Sequence, residues 1–224
     1  GALVETIVTT DMAKAIAKAY GVKLIEVLTG FKYIGEQIKF FEQQNSYEYV
    51  FGLEESYGCL AGTYARDKDA CVAVMMLCEV AAWCKSNGIT LWDAMVSLYE
   101  TYGYYKEGLE TMTLKGMDGA EKIQSMMNEM RNNPPKKIGA WDVLALRDYK
   151  KDTRTDMTSG EVTPTGLPES NVLYYELSNN AWCCVRPSGT EPKIKFYVGV
   201  KGDTLDGADQ MLEELKAEVL KHFE

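Results

Sequence analysis

The sequence predicts two domains, an α/β domain followed by an α+β domain. In the first half, apolar segments of strand length alternate with helical segments, the order expected of a sheet with helices packed against it. In the second half, short apolar segments follow one another with turn residues between them, as in an antiparallel sheet. The 224 residues, 46% of them hydrophobic, suffice for two cores. The predicted fold class is α/β plus α+β: a mixed α/β/α domain, then an antiparallel sheet packed on helices.

The first domain begins with a strand, a helix and a strand in close succession. This order predicts a parallel pair of strands joined by a right-handed crossover. Gly21 follows the first helix as a stop signal. The predicted segments are strands at residues 6–10 and 24–28, helices at 11–20 and 33–44, and strands at 47–51 and 58–65.

A long helix, introduced by residues 66–69 and predicted to run to about residue 87, is apolar nearly all round, so we expect it to be buried. Its large apolar side chains are Val72, Val74, Met75, Leu77, Val80 and Trp83. The next helix, at residues 90–102, starts with Thr90 and Asp93 at the spacing of a capping box.

The domain boundary is predicted around residues 103–108, where two glycines coincide with a change of pattern. The domains are then residues 1–105 and 106–224. Segments predicted in the second domain are strands at 109–114, 140–146, 172–177, 181–185 and 194–200, and helices at 119–132 and 205–219. The polar stretch 148–170 is too long for an ordinary connection and is either a mobile lid or an irregular hairpin.

The charge balance restricts the class of partner. The chain has 24 basic and 33 acidic residues, a net charge of −9, which argues against nucleic acid as a partner. A small phosphorylated ligand is compatible with this charge, because a local cluster of Arg and Lys acts at close range. The single histidine, His222, rules out histidine-rich metal sites and argues against a serine–histidine triad.

Cysteine usage and hydropathy suggest a cytoplasmic protein. None of the six cysteines has C-x-x-C spacing, so we expect free thiols in a reducing compartment. No run of about 18 apolar residues is present to span a membrane, and the first residues lack the pattern of a signal peptide. We therefore expect no membrane partner.

The loop at residues 186–193 lies between two predicted strands and concentrates donors for an anion. Arg186 offers a planar fork that suits two oxygens of one phosphate, and Ser188, Gly189 and Thr190 add hydroxyl and backbone donors. Lys195, or Lys193 as the weaker candidate, adds positive charge. The alternative is a hairpin turn whose Pro, Gly and Ser serve the backbone alone.

Polar residues also follow two predicted strands of the first domain, where open α/β sheets place ligands. Glu54 and Ser56 suit a sugar, whose hydroxyls donate to carboxylates and accept from serine; the alternative is a solvated acidic turn. Thr29 and Gly30 are either part of the same site or a helix N-cap with a permissive glycine. Lys68 stands near a helix start, where the helix dipole disfavours a cation.

Four segments in order resemble the α-D-phosphohexomutase family, the phosphoglucomutases and phosphomannomutases, over essentially the whole chain. Arg-Pro-Ser-Gly-Thr-Glu-Pro-Lys at residues 186–193 resembles the family's phosphate-binding loop, and Gly-Leu-Glu-Glu-Ser-Tyr-Gly at 52–58 its sugar-recognition loop. Segments 29–35 and 66–70 fit as well. The similarity is greatest to bacterial phosphoglucomutases. It implies that the two domains are the family's third and fourth.

The resemblance implies a role for each candidate residue. Glu54 and Ser56 would hold sugar hydroxyls, with Thr29 and Gly30 beside them. Lys68 would reach the phosphoryl group being transferred. The phosphate that is not transferred would be bound by Arg186, Ser188, Gly189 and Thr190, with Lys195 adjacent.

The resemblance also implies a function, that of the substrate-binding half of an isomerase. Such an enzyme interconverts glucose 1-phosphate and glucose 6-phosphate through a bisphosphate and an enzyme phosphoserine. The chain has no Asp-x-Asp-x-Asp or Ser-His-Asn stretch, so we expect no catalytic residue, no metal ligand and no activity of the chain alone. Mg²⁺ and a glucose bisphosphate activator would belong to the full-length enzyme, and the partners would be a hexose phosphate and amino-terminal catalytic domains. The alternatives are a phosphomannomutase fragment, a stand-alone phosphosugar-binding module, and a structural protein in which both loops are ordinary turns.

Overall fold

The computed structural model describes residues 1–114, 118–189 and 191–223. The chain divides into two compact units, Gly1–Tyr104 and Tyr105–Glu224. Both have mixed helix and sheet, and the predicted fold class is confirmed.

Unit 1 is built on a four-stranded sheet. Its elements are β1 (Ala2–Thr6), α1 (Asp11–Ala19), β2 (Lys23–Val27), α2 (Phe31–Gln44), β3 (Tyr49–Leu53), β4 (Cys59–Ala61), α3 (Ala70–Ser86) and α4 (Leu91–Tyr102). The strand order is β2-β1-β3-β4, with β1 parallel to both β2 and β3 and β4 antiparallel to β3. Side chains of β1, β2, β3 and β4 pack against α2 to form the core of this unit.

The strand predicted at residues 6–10 is wrong, because β1 is Ala2–Thr6. Ala2 and Val4 are fully buried in the sheet. The chain leaves the sheet after Thr6, and the Oγ1 of Thr10 caps α1 by accepting a hydrogen bond from the Met12 N–H at 3.3 Å. Thr9 and Thr10, predicted as strand residues, therefore form a turn and a cap, while Thr6 ends β1.

Other element boundaries in unit 1 also differ from the predicted ones. The strand predicted at 58–65 is shortened to β4, and β3 ends at Leu53, so Glu54 follows it directly. Helix α2 begins at Phe31, and its N-cap is Gly30, with φ of 124° and no side-chain cap. The N-cap alternative for Thr29 is therefore wrong.

The expectation that the long apolar helix is buried is also wrong. Only Cys84 of α3 is buried, and large apolar side chains along the helix are exposed. Helix α3 contacts β4 and α4 over a limited part of its surface. All-round apolarity predicts burial only where the fold supplies neighbours on every side, and the described part of the chain does not supply them.

Unit 2 is a larger sheet with two helices. Its elements are β5 (Tyr104–Thr113), α5 (Gly119–Asn132), β6 (Lys137–Ile138), β7 (Trp141–Asp148), β8 (Thr153–Asp156), β9 (Val162–Thr163), β10 (Leu173–Leu177), β11 (Trp182–Pro187), β12 (Lys193–Gly202) and α6 (Leu205–Phe223). The strand order is β5-β12-β11-β10-β7-β8-β9, with β6 paired to β7. All pairings from β12 to β9 are antiparallel. Helices α5 and α6 pack on the apolar face of this sheet.

Two predictions in unit 2 change in detail. The strand predicted at 109–114 begins at Tyr104, so Gly108 lies inside it and is a point of close approach rather than a linker residue. A Cβ at Gly108 would lie 3.1 Å from Lys216 Cδ and 3.3 Å from Leu212 Cδ1, both on α6. In the polar stretch 148–170, β8 and β9 pair as an irregular hairpin.

A buried ion pair attaches α5 to the sheet. Arg131 Nε lies 2.9 Å from Asp148 Oδ2 on β7, and an Arg131 Nη2 hydrogen bond reaches Asn171 Oδ1 at 2.8 Å. Each of the two charged side chains is only 5% exposed. A desolvated pair with these additional hydrogen bonds fixes the position of the helix more strongly than an exposed pair does.

The cysteines and the helix lengths complete the description. All six cysteines, each within the described residues, are free thiols, as expected. Among described residues, no single helix is long and apolar enough to cross a membrane. Helices α3 and α4 meet that length and composition only as a pair bent by 91°.

Candidate functional site

In unit 1 the structure pairs two of the predicted site residues. Lys68 Nζ lies 3.0 Å from Glu54 Oε1, with the Glu54 side chain 5% exposed and the Lys68 side chain 50% exposed. The hydrogen bond to Glu54 raises the pKa of Lys68 above its ordinary value, although desolvation opposes the effect. Lys68 is thus held as an ammonium group with one side toward solvent, an arrangement that can meet an anionic ligand.

The close contact of Lys68 and Glu54 requires Gly58. A Cβ built on Gly58 would lie 2.6 Å from Glu54 Oε1 and 2.6 Å from Lys68 Cδ. The backbone supports the same loop, since the Glu54 N–H donates to the Gly58 carbonyl at 2.9 Å. Any side chain at position 58 would displace one member of the pair.

Phe31 connects the Thr29–Gly30 segment to this pair. Lys68 Nζ lies 5.8 Å from the centroid of the Phe31 ring, within the range of a cation–π contact. Phe31 is buried as the first residue of α2, directly after Gly30. Gly30 therefore adjoins in sequence a residue in contact with Lys68, and Thr29, two residues before Phe31, is partly buried.

The loop at residues 54–57 is anchored at its acidic end and exposed at its tip. Thr6 Oγ1 donates to Glu55 Oε2 at 3.2 Å and lies 2.9 Å from Thr9 Oγ1. Ser56 and Tyr57 are exposed, and Tyr57 has a left-handed φ of 65°. Glu54 thus faces inward to Lys68, while the Ser56 hydroxyl lies at the surface.

Two aspartates flank Lys68: Asp67 bonds its backbone, and Asp69 caps the helix that follows. The Lys68 N–H donates to Asp67 Oδ1 at 2.8 Å. Asp69 caps α3 by accepting from the N–H groups of Cys71 and Val72 at 2.8 and 3.2 Å. A hydrogen bond from Tyr64 lowers the pKa of Asp69. Because α3 begins with this cap, the direction of the helix fixes the position from which Lys68 extends.

In unit 2, Arg186 and Lys195 are cross-strand neighbours. They are directly paired in the β11–β12 register, so both side chains leave the same face of the sheet. Both are partly buried. Lys193 Nζ lies 3.1 Å from Glu191 Oε1, so its charge is partly balanced. Two cations on one face favour an anion, and the geometry favours Lys195 over Lys193 as the second cation.

The loop between β11 and β12 is folded by its own backbone. The Ser188 N–H donates to the Lys193 carbonyl at 2.8 Å, and Ser188 Oγ accepts from the Glu191 N–H at 3.3 Å. Gly189 is exposed, and a Cβ there would meet no described atom within 4 Å. A ligand can therefore approach this backbone closely. Thr190 lies outside the described residues.

Sequence reasoning missed the positioning roles of Phe31 and Gly58. Both lie in the segments quoted for the resemblance, but neither carries a group that signals a role by itself. The sequence offered one indication for Gly58, which is its position four residues after Glu54. The link from Thr6 to Glu55 was hidden by the strand wrongly assigned at residues 6–10.

The described residues do not fit a magnesium site. No group of three or more His, Cys, Asp or Glu side chains within the described ranges is arranged to hold a metal ion. Mg²⁺ takes oxygen ligands in octahedral geometry, usually including carboxylates. We therefore assign no metal-dependent step to the described residues.

Comparison with known proteins gives consistent matches. Residues 1–102 match the family described as phosphoglucomutase/phosphomannomutase, alpha/beta/alpha domain III. The chain is 35% identical over 213 residues to a phosphoglucomutase of Staphylococcus aureus (strain bovine RF122 / ET3-1), covering 95% of this chain and 38% of that protein. It is 35% identical over 210 residues to a phosphoglucomutase of Staphylococcus epidermidis (strain ATCC 12228), covering 94% of this chain and 38% of that protein.

Solved structures show the same fold. The open form of pp63/parafusin, a phosphoglucomutase from Paramecium, matches with a TM-score of 0.62 and 16% identity over 99% of this chain and 38% of that chain. A phosphoglucomutase/phosphomannomutase family protein from Burkholderia thailandensis matches with a TM-score of 0.55 and 12% identity over 99% of this chain and 37% of that chain. The chain spans a little over a third of the length of these relatives.

Proposed function

Because the chain belongs to the α-D-phosphohexomutase family, as a portion covering about 38% of its curated phosphoglucomutase relatives, we propose that it is the substrate-binding part of a phosphoglucomutase. The reaction of the whole enzyme would interconvert glucose 1-phosphate and glucose 6-phosphate. The observation that carries the proposal is the buried Glu54 carboxylate with Lys68 Nζ at 3.0 Å, in a chain 35% identical to phosphoglucomutases along nearly its whole length.

Unit 1 would bind the sugar. Glu54 accepts hydrogen bonds from sugar hydroxyls, and Ser56 adds a hydroxyl at the exposed tip of the loop. Thr29 and Gly30 would lie at the edge of the same region. Lys68, kept protonated by Glu54, places a positive charge where a transferring phosphoryl group develops negative charge.

Unit 2 would bind the phosphate that is not transferred. Arg186 supplies the planar fork, Lys195 a second cation on the same face, and Gly189 an unobstructed backbone. Ser188 and Thr190 would complete the ligand's hydrogen bonds. Holding the substrate in this way contributes orientation, which can lower a barrier by several kcal/mol.

The groups that transfer the phosphoryl group would lie outside this chain. We propose that the phosphoserine, the Mg²⁺ ligands and the bound glucose bisphosphate belong to amino-terminal catalytic domains, so that the chain alone has no mutase activity. A cytoplasmic location stays a prediction.

Calorimetric titration of glucose 6-phosphate tests the proposal. We expect binding to the chain, and at least about tenfold weaker binding by Arg186→Gln, since truncating a charged group bound to an anion typically costs more than 1.4 kcal/mol. The control is Lys201→Gln on the neighbouring strand β12, whose Nζ lies 4.9 Å from the Tyr105 ring centroid; its affinity should be unchanged.

Three outcomes would contradict the proposal. The first is no heat of binding for the unsubstituted chain. The second is an equal loss in Lys201→Gln, which would mean general electrostatic attraction. The third is conversion of glucose 1-phosphate by the chain alone in a coupled dehydrogenase assay.

A further inference from the structure

A cavity of about 750 Å³ lies within unit 2, where the end of β5 meets α5 and the last residues of α6. Sites for small molecules commonly have volumes of about 300–1,000 Å³. The apolar part of the lining is continuous with the core of the unit. Met130 and Phe223 are 5% and 7% exposed, and Met112, Leu114 and Met126 are half-buried beside them. We call this space the α5–α6 cavity.

Methionine gives the α5–α6 cavity an adaptable shape. Three of its apolar lining residues are Met112, Met126 and Met130. An unbranched thioether side chain has three rotatable bonds and adjusts to ligands of different outline. A lining of this kind suits a flexible alkyl chain. A hexose phosphate, whose surface is mostly hydroxyl and phosphate oxygen, has no comparable apolar part.

The polar lining groups lie at the surface, and one of them is available to a ligand. Lys122, Glu129 and His222 are exposed. Glu129 Oε1 already accepts a hydrogen bond from Asn133 Nδ2 at 2.8 Å, and the His222 ring packs edge-on against Phe223 with 4.8 Å between the centroids. Within the described ranges, Lys122 Nζ has neither an ion pair nor a hydrogen bond. The cavity thus offers an available cation at its mouth.

The positions of these groups along α5 give the cavity a direction. Lys122 and Glu129 are seven residues apart, which is about 10 Å along the helix axis. Met126 and Met130 follow Lys122 by four and eight residues and lie on the same face of the helix. Lys122 is also near the amino-terminal end of α5, where the helix dipole favours an anion. An anionic group therefore belongs at Lys122, with an apolar body extending past the methionines.

The wall formed by Leu114 is fixed by backbone contacts. The Leu114 N–H donates to the Pro192 carbonyl at 3.0 Å. A Cβ on Gly119, at the start of α5, would collide with the Leu114 carbonyl and lie 3.1 Å from Pro192 Cβ. This part of the cavity is formed before a ligand arrives, so binding requires little ordering of the chain.

We propose that the α5–α6 cavity binds an amphipathic carboxylate, a molecule with one carboxylate group and an unbranched alkyl chain, such as a medium-chain fatty acid. The carboxylate pairs with Lys122 Nζ, and the alkyl chain lies against Met126, Met130 and Phe223. Arg186 and Lys195 do not line this cavity. The inference therefore goes beyond the proposed function and does not depend on it.

Calorimetric titration of the chain with decanoate and octanoate tests the apolar part of the site. Decanoate should bind, and each added methylene should tighten binding about twofold to fourfold, since full burial of one methylene is worth about fourfold. Decanoate should also raise the midpoint temperature of unfolding, because it binds the folded state.

A charge cycle tests the role of Lys122. Lys122→Gln should weaken decanoate binding about threefold or more, whereas decan-1-ol, which lacks the carboxylate, should bind the variant and the unsubstituted chain equally. Lys150→Gln, at another exposed lysine, is the control and should leave the decanoate affinity unchanged.

A pair of tryptophan substitutions on α5 tests the location. Ser125 lines the cavity, and Gln124 beside it is exposed and does not. Ser125→Trp should fill the space and weaken decanoate binding at least about tenfold, while Gln124→Trp should bind decanoate normally. Arg186→Gln should also bind decanoate normally, and inorganic phosphate should not compete.

Four results would overturn the inference. They are no binding of decanoate, equal binding by Ser125→Trp and Gln124→Trp, an equal loss of decan-1-ol and decanoate affinity in Lys122→Gln, and loss of decanoate binding in Arg186→Gln. The last result would assign the carboxylate to the loop at residues 186–193. Failure of glucose 6-phosphate to bind, with decanoate bound as expected, would overturn the proposed function and uphold this site.

Discussion

Lys68 Nζ lies 3.0 Å from Glu54 Oε1, so that a half-exposed ammonium is paired with a buried carboxylate. The two residues come from different loops, one following β3 and the other preceding α3. Gly58 and Phe31 both lie beside the pair. Gly58 leaves room for it because it has no side chain, and Phe31 contacts Lys68 through its ring. The pair is a preformed unit of one anionic and one cationic group next to the carboxyl end of β3.

Removal of the Glu54 charge should lower the pKa of Lys68. The hydrogen bond to Glu54 is the largest cause of the raised value, so Glu54→Gln should return it toward its ordinary range. Side-chain NMR of Lys68 followed against pH measures this change. Glu48→Gln, at an exposed position, is the control, and an unchanged titration of Lys68 in Glu54→Gln would contradict the assigned cause.

Gly58→Ala should separate the same pair. The added Cβ would stand 2.6 Å from both Glu54 Oε1 and Lys68 Cδ, closer than van der Waals contact. We expect the pKa of Lys68 to fall as in Glu54→Gln and glucose 6-phosphate binding to weaken several-fold. A variant that binds more weakly but keeps the raised pKa of Lys68 would show that Gly58 acts on the loop as a whole.

The ion pair of Arg131 and Asp148 should dominate the attachment of α5. Arg131→Met leaves Asp148 buried without its partner and should lower the free energy of unfolding by about 3–5 kcal/mol, measured with urea. The comparison is Lys137→Met, which breaks an exposed pair with Asp142 at 3.1 Å and should cost less than about 1 kcal/mol. Similar losses in the two variants would mean that burial of the Arg131 pair adds nothing.

Glu176 should contribute to acid unfolding of unit 2. It lies 2.6 Å from both Arg147 Nε and Arg154 Nη2. Burial raises the pKa of Glu176, but the hydrogen bond from Arg154 and the charge of Arg147 outweigh it and lower the value below the ordinary 4.5. Since the folded pKa is the lower one, the stabilisation is complete above about pH 4.5 and is lost as the pH falls through the folded pKa.

Glu176→Gln should therefore reduce stability at neutral pH and flatten its decline in acid. Urea unfolding at several pH values measures both effects. Glu161→Gln, at an exposed position, is the control, and its stability should still decline in acid. A decline of the same steepness in Glu176→Gln would assign the acid sensitivity to other carboxyls.

The sequence predicted the elements whose pattern is local. Strands β10 and β11 are apolar segments on either side of a short turn, and Val185, Phe196 and Val198 lie at the alternate positions that face the helices of unit 2. The pairing of Arg186 with Lys195 follows from that register. The contact of Lys68 with Glu54 could not be predicted from pattern, because it depends on a missing Cβ at Gly58 and on the direction of α3.

The errors came from features that local pattern does not determine. Thr10 suits a strand by propensity, but its hydroxyl accepts a hydrogen bond from the Met12 N–H and places it at a helix cap, while the strand ends at Thr6, whose hydroxyl donates to Glu55. The apolar sequence of α3 predicted burial, but the number of neighbours around a helix is a property of the whole assembly. Val74 and Trp83 of α3 are exposed instead.

The central claim is that the Glu54 loop binds the sugar and the Arg186 loop binds the phosphate of a hexose phosphate. NMR titration of the chain with glucose 6-phosphate and, separately, with inorganic phosphate tests it most directly. We predict that glucose 6-phosphate shifts the signals of Glu54 and Ser188 with one common dissociation constant, whereas inorganic phosphate shifts those of Ser188 alone. Signals of Ser188 that stay unchanged at saturating glucose 6-phosphate, or signals of Glu54 that respond equally to inorganic phosphate, would contradict the account.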